Sequence, residues 1–112
     1  FGALSMKDIG YYFSNNSSKW RNKNSVHFLK FARDNLVKNN YYIVNLDINF
    51  LCEQPNINKH RNKMIKNLSS ILKVPEKIIS IKATSNEKIG FIGDGLGIAA
   101  ESIVQISNEK TY

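Results

Sequence analysis

Residues 42–51 read YIVNLDINFL. Val44, Leu46, Ile48 and Phe50 alternate there with Asn45, Asp47 and Asn49. A period of two sends the two sets to opposite faces of an extended chain, so Tyr42 to Leu51 is expected to be a half-buried strand. Its flanks decide the architecture. Upstream, Val26, Leu29, Ala32 and Leu36 recur at helical spacing and predict a helix from Ser25 to Lys38 with that stripe toward the core. Asn24 or Ser25 can cap its start, and Asn39 or Asn40 can take the left-handed position that ends it. Downstream, "EQPNIN" interrupts the strand, because Pro55 has no N–H to give a ladder. Met64, Leu68 and Ile71 then mark the inner face of a helix from Ile57 to Leu72. Pro75 opens a turn, Ile78 to Thr84 is a second strand, and Gly97 to Ile106 a third, with Ile98, Ala100, Ser102, Val104 and Ile106 along one face. This order predicts an α/β sandwich, with helices packed on one face of a mixed sheet.

The chain has 112 residues, enough for one domain with a modest core. It opens "FGALSMKDIG", with no initiator Met and no cap before an apolar start. That reads as the end of a helix begun elsewhere, so a piece of a longer protein is expected. Asp8 to Phe13 is expected to form a tight turn. Ser14 to Asn24 is expected to be a polar loop able to close over a ligand. No apolar run is long enough to span a bilayer, and no secretory signal is visible. The single cysteine, Cys52, excludes an internal disulfide framework and fits a reducing compartment. A net charge of +7 raises the question of nucleic acid. The basic residues are scattered, however, with neither zinc-finger spacing nor an aromatic RNA-binding signature. Lys59, Arg61, Lys63 and Lys66 share one helix and read as a solvated face.

Residues 82–101, "KATSNEKIGFIGDGLGIAAE", place a hydroxyl pair, a carboxylate and four glycines around an apolar run, more than any hairpin needs. From Lys82 to Ala99 this segment resembles the pattern K-A-T-T-T-E-K-[LI]-G-F-x-G-R-G-E-G-I-A of the 2-C-methyl-D-erythritol 2,4-cyclodiphosphate synthase family. Three further blocks agree in order. "KDIGYYF" is similar to that family's G-D-I-G-x-x-F. "NLDINFLCEQP" is similar to N-x-D-x-x-[IL]-x-x-[QE]-x-P. "NSVHFLKFARDNL" stands where the family has its D-S-x-x-L-L helix.

The resemblance implies an intramolecular phosphoryl transfer in the non-mevalonate route to isoprenoids. The substrate's 2-phosphate attacks the inner phosphate of its own cytidine diphosphate end, a cyclic diphosphate forms, and CMP leaves. The attacking group is already an anion, so the chemistry calls for charge neutralisation and alignment rather than a protein nucleophile. By the same resemblance Thr84 and Ser85 are the phosphate-contacting hydroxyls, flanked by Ala83 and Asn86. Glu87 is the carboxylate that holds Mg²⁺ or Mn²⁺ between the phosphates. Asp8, Ile9 and Gly10 form the turn for the methylerythritol part, with Phe13, Asn15 and Ser17 beside it. Cys52, Glu53, Gln54, Pro55, Asn56, Ile57 and Asn58 form the cytosine pocket, largely through backbone groups, with Cys52 as a small buried residue. Phe91 faces an apolar channel on the threefold axis of a homotrimer whose active sites lie between subunits.

The departures are specific. "FSNNS" stands for F-P-D-T-D, so Asn15 replaces an acid; Asn56 stands where Lys is usual. Asp94 and Leu96 stand where an Arg and a Glu hold an axial diphosphate in the family, and a ring of Asp would repel that ligand. The family's zinc ligands, an Asp-x-His pair and a later His, would lie upstream of Phe1; neither His27 nor His60 matches them. The chain thus corresponds to the C-terminal two-thirds of such a domain, carrying the phosphate and cytidine side of the site. Two other readings stay open: a non-catalytic trimeric relic that binds cytidine nucleotides, and a basic nucleic-acid-binding domain. The Asn-, Lys- and Ile-rich composition suits a plastid-bearing parasite or a reduced bacterium, hence a plastid or a bacterial cytoplasm.

Overall fold

The computed structural model describes residues 1–85, 90 and 95–112. Three strands form one mixed sheet: β1 (Tyr42–Leu51), β2 (Ile79–Thr84) and β3 (Ala99–Ser107), in the order β2-β1-β3. β1 runs parallel to β2, with Leu46 opposite Ile79 and Leu51 opposite Thr84. It runs antiparallel to β3, with Leu51 opposite Ala99 and Tyr42 opposite Ser107. Parallel neighbours need a crossover, which is α3 (Ile57–Leu72). α2 (Ser25–Lys38) precedes β1, and α1 (Ile9–Tyr12) is a four-residue helix near the start.

Local signals set the main boundaries. Asn24 Oδ1 accepts from the Val26 N–H at 2.9 Å, satisfying one of the free donors at the start of α2. Beyond its end, Asn40 takes a left-handed φ of 59°. α3 is capped by Asn56, whose Oδ1 accepts from the Asn58 N–H at 3.0 Å. It ends on Lys73 at φ 57°, whose N–H reaches back to Ser69 O. The expected bounds of α2, β1 and α3 agree with those observed.

Both helices lie on one sheet face. Leu29 and Leu36 of α2 and Met64, Ile65 and Leu68 of α3 pack against a buried cluster that includes Ile43, Leu46, Ile79 and Ile81. Arg33 of α2 ties the helices together by donating from Nη1 to Ile71 O at 2.8 Å. A second, aromatic cluster gathers under α2, where Phe13 is buried against the edges of Trp20, Phe28 and Phe31. The opposite sheet face is polar and open. Lys82 and Asp47 form an ion pair of 2.8 Å there, and Ile103 of β3 is 75% exposed.

Several details differ from the sequence reading. The pairing of β1 with β3 is irregular between Ile43 and Asn45. It is Ile43, not Val44, that joins Leu46 in the core. The opening segment is a 3-10 turn at Gly2–Leu4, closed by Ser5 at φ 54°. Asp8 to Phe13 is not a bare turn, because the Asp8 carboxylate caps α1 by accepting from the Tyr11 N–H at 2.9 Å. The second strand starts at Ile79, because Glu76–Ile78 form a 3-10 turn after Pro75. The third runs Ala99–Ser107, with Val104 packed on the core and Ala100 and Ser102 exposed.

Candidate functional site

Parallel pairing brings the C-terminal ends of β1 and β2 to one edge of the sheet, the place where open α/β sheets tend to hold ligands. Leu51 and Thr84 are opposite each other, and one residue on the Cys52 N–H donates to Thr84 O at 3.3 Å. From there the chain leaves β1 through Glu53, Gln54 and a cis peptide to Pro55 before entering α3. The segment Cys52–Asn58 and the end of β2, Ala83–Ser85, together enclose a cavity of about 210 Å³. The structure therefore assembles in one place two stretches that the sequence placed together only by resemblance.

The walls are tied by short-range bonds. Cys52 is buried, and its thiol lies 3.7 Å from Pro55 O, a small packed side chain closing the loop. Asn56, standing where a Lys was expected, is spent as the helix cap, so its side chain orders the wall. Arg61 corrects the reading of a uniformly solvated basic face. Lys59, Lys63 and Lys66 are exposed, but Arg61 is half-buried and hydrogen-bonded to Asn58 and to Ile81 O. No pattern in the sequence separated it from its Lys neighbours.

A second depression, of about 450 Å³, collects Ile9, Gly10, Phe13, Asn15 and Ser17. Trp20, Arg21 and Phe28 also line it, and none of these had been singled out as a site residue. The signal for Trp20 was its position as a lone tryptophan in a polar loop. Asp8 is not among the lining residues; its Oδ1 caps α1. The two cavities share no lining residue, so the two halves of the expected site stand apart within one chain. The expectations for Asn86, Glu87, Phe91 and Asp94 fall outside the described residues.

Among the described residues no group of three or more His, Cys, Asp or Glu could hold a metal ion. His27 lies against the rings of Trp20, Phe28 and Phe13 rather than beside acids, and His60 is exposed on α3. These residues do not fit a zinc site. Among the described residues no helix is long and apolar enough to cross a membrane.

A model of the YgbB family matches residues 1–107. The chain is 41% identical over 103 residues to the 2-C-methyl-D-erythritol 2,4-cyclodiphosphate synthase of Ehrlichia canis, covering 92% of this chain and 60% of that protein. It is 44% identical over 93 residues to the apicoplast enzyme of the same name from Plasmodium falciparum, covering 83% of this chain and 39% of that protein. The solved structure of a Plasmodium falciparum IspF in complex with CDP superposes with a TM-score of 0.81 at 37% identity, over 94% of this chain and 62% of that one. The chain thus spans less than two thirds of each of these relatives.

Proposed function

The chain belongs to the YgbB family, and on that footing we propose that it carries the cytidine- and phosphate-binding side of a 2-C-methyl-D-erythritol 2,4-cyclodiphosphate synthase. The observation that carries this reading is the cavity shared by Cys52–Asn58 and Ala83–Ser85 at the ends of two parallel strands. A relative of the same fold has been solved with CDP, the nucleotide class such a cavity would take.

In this reading the loop from Cys52 to Asn58 presents backbone groups to the cytosine edge, with Pro55 and Ile57 as its apolar walls. Thr84 and Ser85 offer hydroxyl and backbone donors to the phosphates, where charge accumulates as one phosphate approaches another. The 2-phosphate forms the new phosphorus–oxygen bond, and CMP departs with the electrons of the bond that breaks. A divalent cation, Mg²⁺ or Mn²⁺, supplies charge neutralisation between the phosphates when bound, and Glu87 is the carboxylate assigned to it. Zinc, as the family pattern has it, would need histidine ligands that the described residues do not offer. Ile9, Gly10, Phe13, Asn15 and Ser17 would receive the methylerythritol part. The compartment would be a plastid or a bacterial cytoplasm.

Cytidine nucleotides are expected to bind this protein with micromolar affinity that changes little between 50 and 200 mM salt. Duplex DNA is expected to bind weakly, with affinity that collapses over the same range, because phosphate contacts by scattered lysines are a counterion-release effect. Calorimetric titration of both ligands decides it. Tight, salt-resistant DNA binding without CMP binding would overturn the cytidine reading in favour of a nucleic-acid-binding domain.

The separation of the two cavities favours an assembly in which neighbouring subunits complete each other's sites, and the reading proposes a homotrimer. Ile103 on the open sheet face, with Leu96 and Ile98 beside that strand, is apolar surface that a second copy would cover. Sedimentation of the complete gene product at micromolar concentration is expected to give three times the chain mass; a monomer's mass would count against it.

A further inference from the structure

Arg61 lies on α3 three residues after Asn58, outside the lining of the nucleotide cavity but bonded to residues beside it. Its Nε donates to Ile81 O of β2 at 2.9 Å, and its Nη2 donates to Asn58 Oδ1 at 2.5 Å. Asn58 belongs to one wall of the cavity, and Ile81 precedes the residues of the other, Ala83–Ser85. Asn58 is itself tied by its N–H to the Asn56 side chain. One guanidinium therefore spans the start of the helix and the edge of the strand, the two elements whose relative position sets the cavity's width. Arg61 also lines, together with Ala83 and Thr84, a neighbouring polar depression.

We propose that Arg61 is a positioning residue for the nucleotide cavity, holding the Asn58 wall and the Ala83–Ser85 wall in register through its two hydrogen bonds; this rests on the cytidine reading of that cavity. The chemistry needs an arginine. Its planar fork aims several N–H donors at once, so one side chain serves a backbone carbonyl and an amide oxygen in different directions. A lysine at the same place gathers its three donors on one nitrogen and cannot reach two acceptors that Arg61 serves from separate nitrogens. Loss of the fork leaves the Ile81 carbonyl and Asn58 amide without this partner and lets the first turn of α3 drift from β2. The stacked core below, with Ile57, Leu72 and Ile79 buried, does not depend on it. The effect is thus expected on the cavity and not on global stability.

The test compares Arg61→Met, Arg61→Lys and Lys63→Met in the complete gene product. Lys63 is exposed on the same helix and carries the same charge change. Arg61→Met is expected to weaken CMP binding on the order of tenfold, the scale of losing a charge-assisted hydrogen bond. It is also expected to speed hydrogen exchange at the backbone amides of residues 58 and 83–85, with the thermal midpoint held within about 3 °C, since no core contact is lost. Arg61→Lys is expected to recover part of the affinity, and Lys63→Met to match the parent. If Arg61→Met shows parental exchange and affinity, or only a lowered midpoint with affinity unchanged, the positioning role is overturned. It is equally overturned if Lys63→Met loses as much affinity, because general charge then explains the effect. If exchange at those amides rises in Arg61→Met but the parent itself binds no CMP, the clamp stands and the cytidine reading falls.

Discussion

Replacing Glu87 by Gln is expected to slow CMP release roughly a hundredfold, equivalent to about 3 kcal/mol of transition-state stabilisation. The amide keeps the shape of the side chain and removes the charge that, in the proposed reading, holds a divalent cation between two phosphates. Two anionic groups must then approach unscreened in a partly desolvated site, where their repulsion is several times its value in water. Substrate affinity is expected to fall as well, because the ground state carries the same charges. Excess Mg²⁺ is expected to restore only part of the rate. Initial-rate measurements across a Mg²⁺ series check this, with circular dichroism to establish that the fold is intact. Parental turnover with unchanged metal dependence would show that Glu87 takes no part in the reaction.

Truncating Ile81 to Ala is expected to cost about 2–5 kcal/mol of folding stability, because a large buried side chain leaves a cavity that its neighbours refill only in part. Ile81 is 3% exposed, the lowest value among the described core residues, and stands opposite Ile48 at the centre of the parallel pair. For a domain of this size a loss near 3 kcal/mol lowers Tm by roughly 10–20 °C. Ile81→Val, which removes one methylene, is expected to cost about 1 kcal/mol. Ser80→Ala on the neighbouring exposed position is expected to stay within about 0.5 kcal/mol of the parent. Urea unfolding with an unchanged slope isolates the stability term. An Ile81→Ala midpoint equal to the parent's would mean that β2 does not pack on the helices as described.

Most of the fold was legible because its signals are local. Asn24 and Asn56 cap helices from within their own turns, and the alternation from Val44 to Phe50 needs no partner to be seen. What was missed depends on a partner. The irregularity that sends Ile43 inward exists only against β3, whose residues lie far along the chain. Arg61 looked like one more solvated cation beside Lys59 and Lys63, because its acceptor, Ile81 O, is on another element. The 3-10 turn at Glu76–Ile78 took a residue from β2, a boundary that apolar periodicity does not mark.

The candidate site was legible in a different way. The segments Cys52–Asn58 and Ala83–Ser85 were named from the resemblance, and nothing in their spacing says that they meet. Their meeting follows from the parallel register of β1 and β2, which a βαβ crossover produces and a hairpin would not. The residues expected for the methylerythritol part were named separately from them, and Ile9, Gly10, Phe13, Asn15 and Ser17 line a separate cavity. Asp8, expected in the turn for the methylerythritol part, also caps α1 through Oδ1, a use that only the position of the Tyr11 N–H reveals.

The proposed reaction closes a phosphate onto a cytidine diphosphate end and expels CMP. Phosphorus NMR of the complete gene product, incubated with 4-diphosphocytidyl-2-C-methyl-D-erythritol 2-phosphate and Mg²⁺, tests it most directly. The substrate's phosphomonoester signal is expected to disappear as a cyclic diphosphate and an equal amount of CMP appear. Persistence of all substrate signals, with the protein folded and its divalent metals supplied, would contradict it.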